Sequence, residues 1–220
     1  MIYIMNLNSD NFCVMIDPGH GENTPGKRSP DGRLREYAYC RDIANCIADK
    51  LRSLGIHCEI LVPEKWDVTL EERVKRCNNF CKQNGKDNCL FVSVHNNAAG
   101  SGGWMSARGW SVFVYRNGSE RSRKFADMLF DAATELGVKT RKPQPKQKYW
   151  DCGFYVCKHT NCAAVLTENM FQDNKEDVEW LLSDAGRSAI SALHVKAIVN
   201  YYTDLYGEPL PAVYEGCNMK

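Results

Sequence analysis

The stretch Leu90-Phe-Val-Ser-Val-His95-Asn-Asn97 is a short apolar run that ends on a histidine and two amides. A run of this length, bounded by polar residues, predicts a buried β-strand. Comparable runs predict four more strands. Together the five predicted strands lie at residues 13–17, 58–62, 89–95, 110–115 and 162–168.

The segments between these runs have helical periodicity. Residues 36–54 carry an apolar stripe that includes Cys40 and Ile43, and Thr69 with Glu72 is a capping-box signature for a second helix. Helices are predicted at residues 36–54, about 69–84, 119–136, 175–182 and about 185–206. Alternating strands and helices indicate an α/β fold, here a single-domain, twisted, mostly parallel sheet flanked by helices on both faces.

The size and composition of the chain limit its partners. Its 220 residues suit one domain, which we place at residues 1–207 with a surface tail at 208–220. A formal charge of +1 gives no electrostatic footprint for nucleic acid. Separately, we expect the protein to be a monomer. There is no basic leader and no apolar run of membrane-spanning length, so we expect neither an export signal nor a membrane span. The eleven cysteines are expected to be reduced and mostly buried.

Two stretches are predicted to be long loops. Residues 21–35 are rich in glycine, proline and charge, and residues 139–149 are basic and interrupted by proline. Long loops in compact domains are often functional. For residues 139–149, a solvated connector and a substrate-binding loop are equal alternatives.

Polar side chains stand where three of the predicted strands end. His20 follows the first strand, His95 ends the third, and Glu168 ends the last. In an open α/β sheet, ligands bind at the carboxyl ends of the strands. We therefore predict that these three side chains meet at one rim of the sheet.

Glu36 is the fourth informative residue. It lies four residues before Cys40 and seven before Ile43, so its carboxylate is on the inward face of the helix. A buried carboxylate is costly without an ion-pair partner or a metal. Arg35 and Arg41 are available as partners, but both are expected to point to other parts of the helix surface, whereas a cation at the strand ends also accounts for the histidines.

Two imidazoles and one carboxylate form a standard catalytic zinc set, with the fourth position open for water. We predict one Zn²⁺ per chain, bound by His20, Glu36 and His95 at the carboxyl ends of the strands. Glu168 is then the general base that accepts the proton of the water and returns it to a leaving nitrogen. Each residue alone could equally be structural, but four at one sheet edge favour the site.

Other candidates suit catalysis less well. His57 lies in a polar connector and His194 in a long helix, so both are predicted to be structural or exposed. His159, flanked by Cys157 and Cys162, is a thiol-catalysis alternative, but no cysteine has an activating context. The sequence also has no Cys-x-x-Cys pair of the kind that binds structural zinc.

The segments around the four residues resemble a known family. They are Ile-Asp-Pro-Gly-His-Gly at 16–21, Leu-Arg-Glu at 34–36, Leu-Glu-Glu-Arg-Val at 70–74, Phe-Val-Ser-Val-His-Asn-Asn-Ala at 91–98 and Val-Leu-Thr-Glu-Asn-Met-Phe-Gln-Asp-Asn at 165–174. In this order and at these separations, residues 11–202 resemble the zinc-dependent N-acetylmuramoyl-L-alanine amidases of the amidase-3 class.

The resemblance implies His20, Glu36 and His95 as zinc ligands and Glu168 as the catalytic acid/base. It also implies the substrate, since such enzymes hydrolyse the amide between N-acetylmuramic acid and the L-alanine of peptidoglycan stem peptides. Composition and spacing alone do not identify that bond. The departures from the family pattern bear on the shape of the substrate groove, and they are at Pro63, Asn96, Asn169 and Met170.

Residues 100–110 form a glycine-rich loop beside His95. We expect Trp104 to stack on a sugar or peptide and Arg108 to pair with a stem carboxylate. Asn97 is a further candidate for substrate binding, while Trp110 is expected to bury against the sheet.

Two other functions stay open. One is a zinc peptidase or carboxypeptidase that cuts within the stem, and the other is a catalytically silent peptidoglycan-binding module. Because the sequence shows neither an export signal nor wall-binding repeats, it favours an endolysin-like phage or prophage enzyme. Such an enzyme is cytoplasmic before its release and then acts on the cell wall, in the periplasm or outside the cell.

Overall fold

The computed structural model describes residues 9–207, and the tail predicted at 208–220 lies outside this part of the chain. Six strands form one sheet: β1 (Cys13–Pro18), β2 (His57–Ile60), β3 (Cys89–Asn97), β4 (Ser111–Tyr115), β5 (Trp150–Cys152) and β6 (Ala163–Phe171). They lie side by side in the order β2-β1-β3-β6-β4-β5. The five predicted strands are all present.

Helices cover both faces of the sheet. They are α1 (Glu36–Ser53), α2 (Leu70–Asn84), α3 (Glu120–Glu135), α4 (Tyr155–His159), α5 (Lys175–Leu182) and α6 (Asp184–Tyr206). The predicted cap of α2 is confirmed, since the Thr69 hydroxyl accepts a hydrogen bond from the Glu72 amide at 3.3 Å. Five helices match their predicted ranges, whereas α4 and β5 were not predicted because each is too short to show a periodic pattern.

The direction of the strands decides what meets at each edge of the sheet. β2, β1, β3 and β6 are parallel, so the carboxyl ends of β1, β3 and β6 share one edge. β4 runs antiparallel to β6, with Ser111 opposite Glu168, and β5 is parallel to β4. β4 therefore begins at the edge where β6 ends, and the sheet is mixed but mostly parallel, as predicted.

The core has two layers, one on each face of the sheet. In β1, Val14 and Ile16 pack into the larger layer with α1, α3, α5 and α6, while Cys13 and Met15 pack into the smaller layer. This alternation is the period of two of a strand that is buried on both faces. The cysteines in the described part are free thiols, most of them buried, as expected. No helix within residues 9–207 combines the length and apolar character needed to cross a membrane.

A buried arginine fixes the turn that follows β1. Arg73 of α2, 2% exposed, donates to Asp17 Oδ1 at 2.6 Å and to the carbonyl oxygens of Pro18 at 2.7 Å and His20 at 3.3 Å. Its Nε donates to the Val68 carbonyl at 2.8 Å. Loss of either Arg73 or Asp17 would leave the other charge buried and uncompensated. The hydrogen bonds from the Arg73 guanidinium therefore stabilise the turn.

His194 is a buried structural residue of α6. Its Nδ1 lies 2.7 Å from the Ile190 carbonyl oxygen, so Nε2 is left to accept from the Thr167 hydroxyl at 3.0 Å. Burial lowers the pKa of His194 from 6.5 to about 4, because the charged imidazolium loses its hydration there. The histidine is therefore neutral in the folded protein near neutral pH.

The low pKa of His194 makes stability depend on pH. The unfolded chain takes up a proton at this residue below about pH 6.5, whereas the folded protein does so only near pH 4. We expect the free energy of unfolding to lose roughly 3 kcal/mol from this group as the pH falls through that window. Urea unfolding across the same pH window should show that the free energy of unfolding falls less in a His194→Met variant than in the wild type.

The exposed His57 provides the matched control, since it pairs with Glu59 at the protein surface. His57→Gln should retain the wild-type dependence of stability on pH. Identical pH profiles for the wild type and His194→Met would show that His194 does not titrate in this way.

Candidate metal centre

The turn after β1 requires its two glycines. A Cβ atom on Gly19 would collide with the ring of His95, and one on Gly21 would collide with the backbone at Asp67. Between them, His20 adopts a left-handed conformation with φ of 57°. For a residue with a side chain this conformation costs on the order of 1 kcal/mol, so the surroundings impose it and thereby aim the imidazole.

The three predicted ligands meet at the carboxyl ends of β1 and β3. Glu36 Oε1 lies 3.4 Å from His20 Nε2 and 3.1 Å from His95 Nδ1. The two imidazole rings are nearly perpendicular, with centroids 4.9 Å apart. One donor atom from each of the three residues falls within 4.8 Å of the others, so they could hold a metal ion together.

Glu36 is 1% exposed, and each of its carboxylate oxygens is hydrogen-bonded. Oε1 accepts from the Asn96 amide at 3.1 Å, and Oε2 accepts from Gln172 Nε2 at 3.0 Å. Burial raises the pKa of Glu36, but hydrogen bonds and charge interactions with His20 and His95 outweigh it and leave the pKa well below its usual range. Glu36 is therefore an ionised carboxylate in a nearly dry place.

The two arginines that could have paired with Glu36 have other partners, as expected. The Arg35 guanidinium lies over the Tyr37 ring at 5.0 Å. Arg41 donates to the carbonyl oxygens of Glu64 at 2.8 Å and His20 at 3.0 Å. The charge of Glu36 is thus matched only by the two imidazoles within the described residues.

The donor set fits a divalent cation. An ion of zinc's size, with donors at about 2.0–2.1 Å in a tetrahedron, holds neighbouring donors about 3.3 Å apart. The separations of 3.1 and 3.4 Å between Glu36 Oε1 and the imidazole nitrogens match this spacing. A buried ionised carboxylate beside two imidazole nitrogens also has the charge that favours such an ion.

Glu168 stands next to this group. It lies on β6 directly opposite His95 of β3, and its Oε2 is buried without a hydrogen-bond partner among the described residues. Burial raises the pKa of Glu168 to about 8, and the charge of Glu36 adds to the rise while His95 and Lys27 oppose it. A carboxyl group with a pKa near neutrality can both take and give a proton.

His20, His95 and Glu168 line a cleft of about 610 Å³. Leu70 of α2 and Phe154 before α4, both substantially exposed, form apolar walls beside them. Sequence reasoning missed this second wall, although the aromatic run Phe-Tyr at 154–155 was a possible signal. A polar centre with apolar walls is the usual composition of a small-molecule or polymer-binding cleft.

A second cavity of about 470 Å³ adjoins the first, because Lys27 lines both. Ala98, Gly100 and Asp173 are among its other lining residues. Asp173 Oδ2 accepts hydrogen bonds from the backbone amides of Ala99 and Gly100, at 2.7 and 2.8 Å. These hydrogen bonds hold the loop after β3 beside the second cavity. The predicted loop at 21–35 contributes Lys27 to the same cavity.

The three predicted substrate-binding residues lie outside the lining of the metal cleft. Trp104 is 40% exposed, and Asn97 Oδ1 accepts from the amide of the following residue at 2.8 Å. Arg108 forms ion pairs with Glu176 and, at 3.2 Å, with Asp177 of α5. The structure therefore does not bring these residues together with the metal ligands, and their contact with substrate stays a prediction.

Within the loop at 139–149, residues 144–147 and Tyr149 line a separate cavity of about 560 Å³ together with Asp127. Within the described part of the chain, no residue of this loop lines the metal cleft. A solvated connector and a substrate-binding loop both stay open for this segment.

Two residues that depart from the family pattern, Asn169 and Met170, follow Glu168 in β6. Asn169 accepts a hydrogen bond from Trp110 Nε1 at 2.8 Å and donates one to the His95 carbonyl oxygen at 3.0 Å. Trp110 is fully buried, as expected. Met170 has φ of 64°, so this position requires a left-handed conformation that glycine would adopt more readily.

Comparison with known proteins identifies the family. Residues 14–200 match the Amidase_3 family, described as N-acetylmuramoyl-L-alanine amidase. The amidase CwlM of Bacillus licheniformis is 27% identical over 191 residues, which are 86% of this chain and 68% of the relative. The endolysin of Bacillus phage SPP1 is 28% identical over 188 residues, which are 84% of this chain and 64% of the relative.

Solved structures share the fold. An N-acetylmuramoyl-L-alanine amidase from Clostridium difficile 630 superposes with a TM-score of 0.75 at 22% identity, over 86% of this chain and 96% of that one. The family match covers nearly all of the described residues and includes all four residues of the candidate centre. The chain therefore belongs to the Amidase_3 family of N-acetylmuramoyl-L-alanine amidases.

Proposed function

We propose that this protein is a zinc amidase that hydrolyses the amide between N-acetylmuramic acid and L-alanine in peptidoglycan. One observation carries the proposal: the ionised, buried Glu36 contacts two imidazoles, and Glu168, whose Oε2 has no hydrogen-bond partner among the described residues, lies beside them. Family membership supplies the identity of the bond.

His20, Glu36 and His95 would hold the zinc ion. When bound, zinc polarises a substrate carbonyl group and lowers the pKa of a water molecule. The backbone of one ligand is already fixed, because Arg41 and Arg73 both donate hydrogen bonds to the carbonyl oxygen of His20. Such outer contacts fix the orientation of a ligand before the ion arrives.

Glu168 moves the proton. Its carboxylate accepts a proton from the attacking water in the cleft and then delivers it to the leaving nitrogen of the cleaved amide. Burial raises the pKa of Glu168, whereas the positive charge of a bound ion would lower it and so favour the carboxylate form that accepts the proton. No covalent bond between enzyme and substrate is required.

The groove formed by the two adjoining cavities is where the peptidoglycan strand would lie. Leu70 and Phe154 offer apolar surface on the cleft side, and Lys27 stands at the junction as a positive charge. A stem peptide with a free carboxylate has the complementary charge. Trp104, Arg108 and Asn97 line neither cavity, and we propose that they contact the parts of the substrate that extend beyond this groove.

The biological setting follows the same reasoning. The chain spans about two thirds of the length of the curated relatives CwlM and the SPP1 endolysin. We propose that it acts on the bacterial cell wall, and that phage-type lysis is its setting, as the likeness to an endolysin supports.

Replacement of Glu168 tests the mechanism. Glu168→Gln keeps the size of the side chain but cannot accept a proton, so turnover of purified peptidoglycan should fall by about 10²–10⁴. Zinc content should be unchanged, because Glu168 is not a ligand. The matched control is Glu71→Gln, an exposed carboxylate at the start of α2, which should keep full activity.

The products and the metal requirement separate this proposal from its rivals. Mass spectrometry of the digest should find intact stem peptides with a free N-terminal L-alanine, and a chelator should abolish their release. Peptides cut within the stem would point to a peptidase instead. Binding to peptidoglycan without any soluble product would identify a silent binding module.

The substrate-binding residues are tested separately. If Trp104 stacks on the substrate, Trp104→Ala should raise KM by about 3- to 10-fold, which corresponds to about 0.5–1.5 kcal/mol, with little change in kcat. Arg108→Gln should raise KM for fragments with a free stem carboxylate but not for amidated ones. Thermal unfolding should confirm that both variants are folded, and an unchanged KM in either would remove that residue from the groove.

A further inference from the structure

Four cysteine sulfurs converge at the edge of the sheet opposite the His-Glu-His centre. Cys77 and Cys81 lie on α2, Cys89 is the first residue of β3, and Cys162 immediately precedes β6. This edge is where the parallel strands begin, whereas the candidate active centre lies where they end. The set is therefore separate from the site described above.

The fold explains why the four thiols meet. Cys77 and Cys81 are four residues apart, so their side chains share one face of the helix. In the sheet, Leu90 pairs with Ala163, which places the preceding residues, Cys89 and Cys162, on neighbouring strands. Helix α2 packs over this end of the smaller core layer and brings its two thiols down onto the strands.

The distances are those of a metal-binding thiol set. The Sγ atoms of Cys77 and Cys162 are 3.9 Å apart, and those of Cys77, Cys81 and Cys162 all lie within 4.8 Å of one another. In a tetrahedral zinc site, sulfur ligands at about 2.3 Å stand about 3.8 Å from each other. A cation can thus enter with small adjustments of side-chain torsion angles.

A fourth sulfur is at hand. Cys89, at the start of β3, is buried against the same helix, since its Sγ lies 3.8 Å from the carbonyl oxygen of Phe80 in α2. Cys77 and Cys89 are fully buried and Cys162 is partly exposed. A thiol is only a weak hydrogen-bond donor, so contacts such as that of Cys77 with Cys162 at 3.9 Å could give way to bonds from these sulfurs to a thiophilic cation.

The surroundings also suit a negatively charged metal–thiolate group. A cavity of about 400 Å³ opens beside Cys81 and is lined by Lys82, Lys86 and Asn161. Both lysines are exposed at its mouth and can offset the charge of several thiolates. The same opening gives a hydrated ion a path to the sulfurs.

We propose that Cys77, Cys81 and Cys162, with Cys89 as the fourth donor, form a structural site for Zn²⁺. Each ligating thiol releases its proton to solvent as the ion binds. The ion joins α2 to the first residues of β3 and to the entry of β6. Because α2 also carries Arg73, the site anchors the helix whose other end holds the turn of His20.

Metal counting and cobalt spectroscopy test this proposal on the whole chain purified under reducing conditions. The wild type loaded with Zn²⁺ should retain one ion more than Cys81→Ser/Cys162→Ser. Loaded with Co²⁺, it should show sulfur-to-cobalt charge-transfer absorption and the visible bands of a tetrahedral site. His20→Ala/His95→Ala, which removes ligands of the other centre, should keep these thiolate bands.

Cys46→Ser is the matched control, because Cys46 is exposed on α1 and lies outside the set. It should keep the wild-type zinc content and spectrum. Cys89→Ser should weaken the charge-transfer band without abolishing it, and an unchanged band would overturn the assignment of Cys89 as the fourth donor.

Two results would overturn the site as a whole. One is a wild-type protein loaded with Co²⁺ that lacks the charge-transfer band. The other is peptide mapping that finds a disulfide between two of the four cysteines in freshly purified, unreduced protein. If the double variant fails to fold, the spectra of the wild type and of Cys46→Ser decide the question.

Discussion

Glu36 places a full negative charge where only 1% of its side chain reaches solvent, and the arrangement of the catalytic edge follows from that constraint. An ionised carboxylate in such a place requires several compensating partners. The Asn96 amide and Gln172 donate hydrogen bonds, and the imidazoles of His20 and His95 contact the same carboxylate and lower its pKa. These partners keep the carboxylate ionised, so the packing that positions them also fixes the negative charge that a metal ion would meet.

Much of the centre could be predicted because it depends on local pattern. The stripe that includes Cys40 and Ile43 fixes the inward direction of Glu36, and the rule that parallel strands end at a common edge brings His20, His95 and Glu168 together. Both inferences need only the periods of helix and strand. The ends of the helices could be predicted as well, because a single capping residue such as Thr69 marks where a helix begins.

What could not be predicted depends on contacts between distant segments. The position of Lys27 at the junction of two cavities, like the apolar wall beside Phe154, results from the course of a loop rather than from any periodic pattern. The thiol set was missed because its members come from three elements, and only the pairing of Leu90 with Ala163 makes neighbours of Cys89 and Cys162. Spacing rules for metal sites detect ligands that are close in sequence, so they overlook such sites.

The reversed direction of β4 has a consequence for how this scaffold can vary. Because β3 ends and β4 begins at the same edge, the segment between Asn97 and Ser111 leaves and re-enters the sheet beside Glu168. Its two anchors are fixed by strand pairing, while its middle runs over the surface and carries Trp104. Nature or an engineer can therefore exchange this segment for one of different length and composition while the four residues at the strand ends stay in place, and under the role proposed for Trp104 such an exchange would change which wall polymers are accepted.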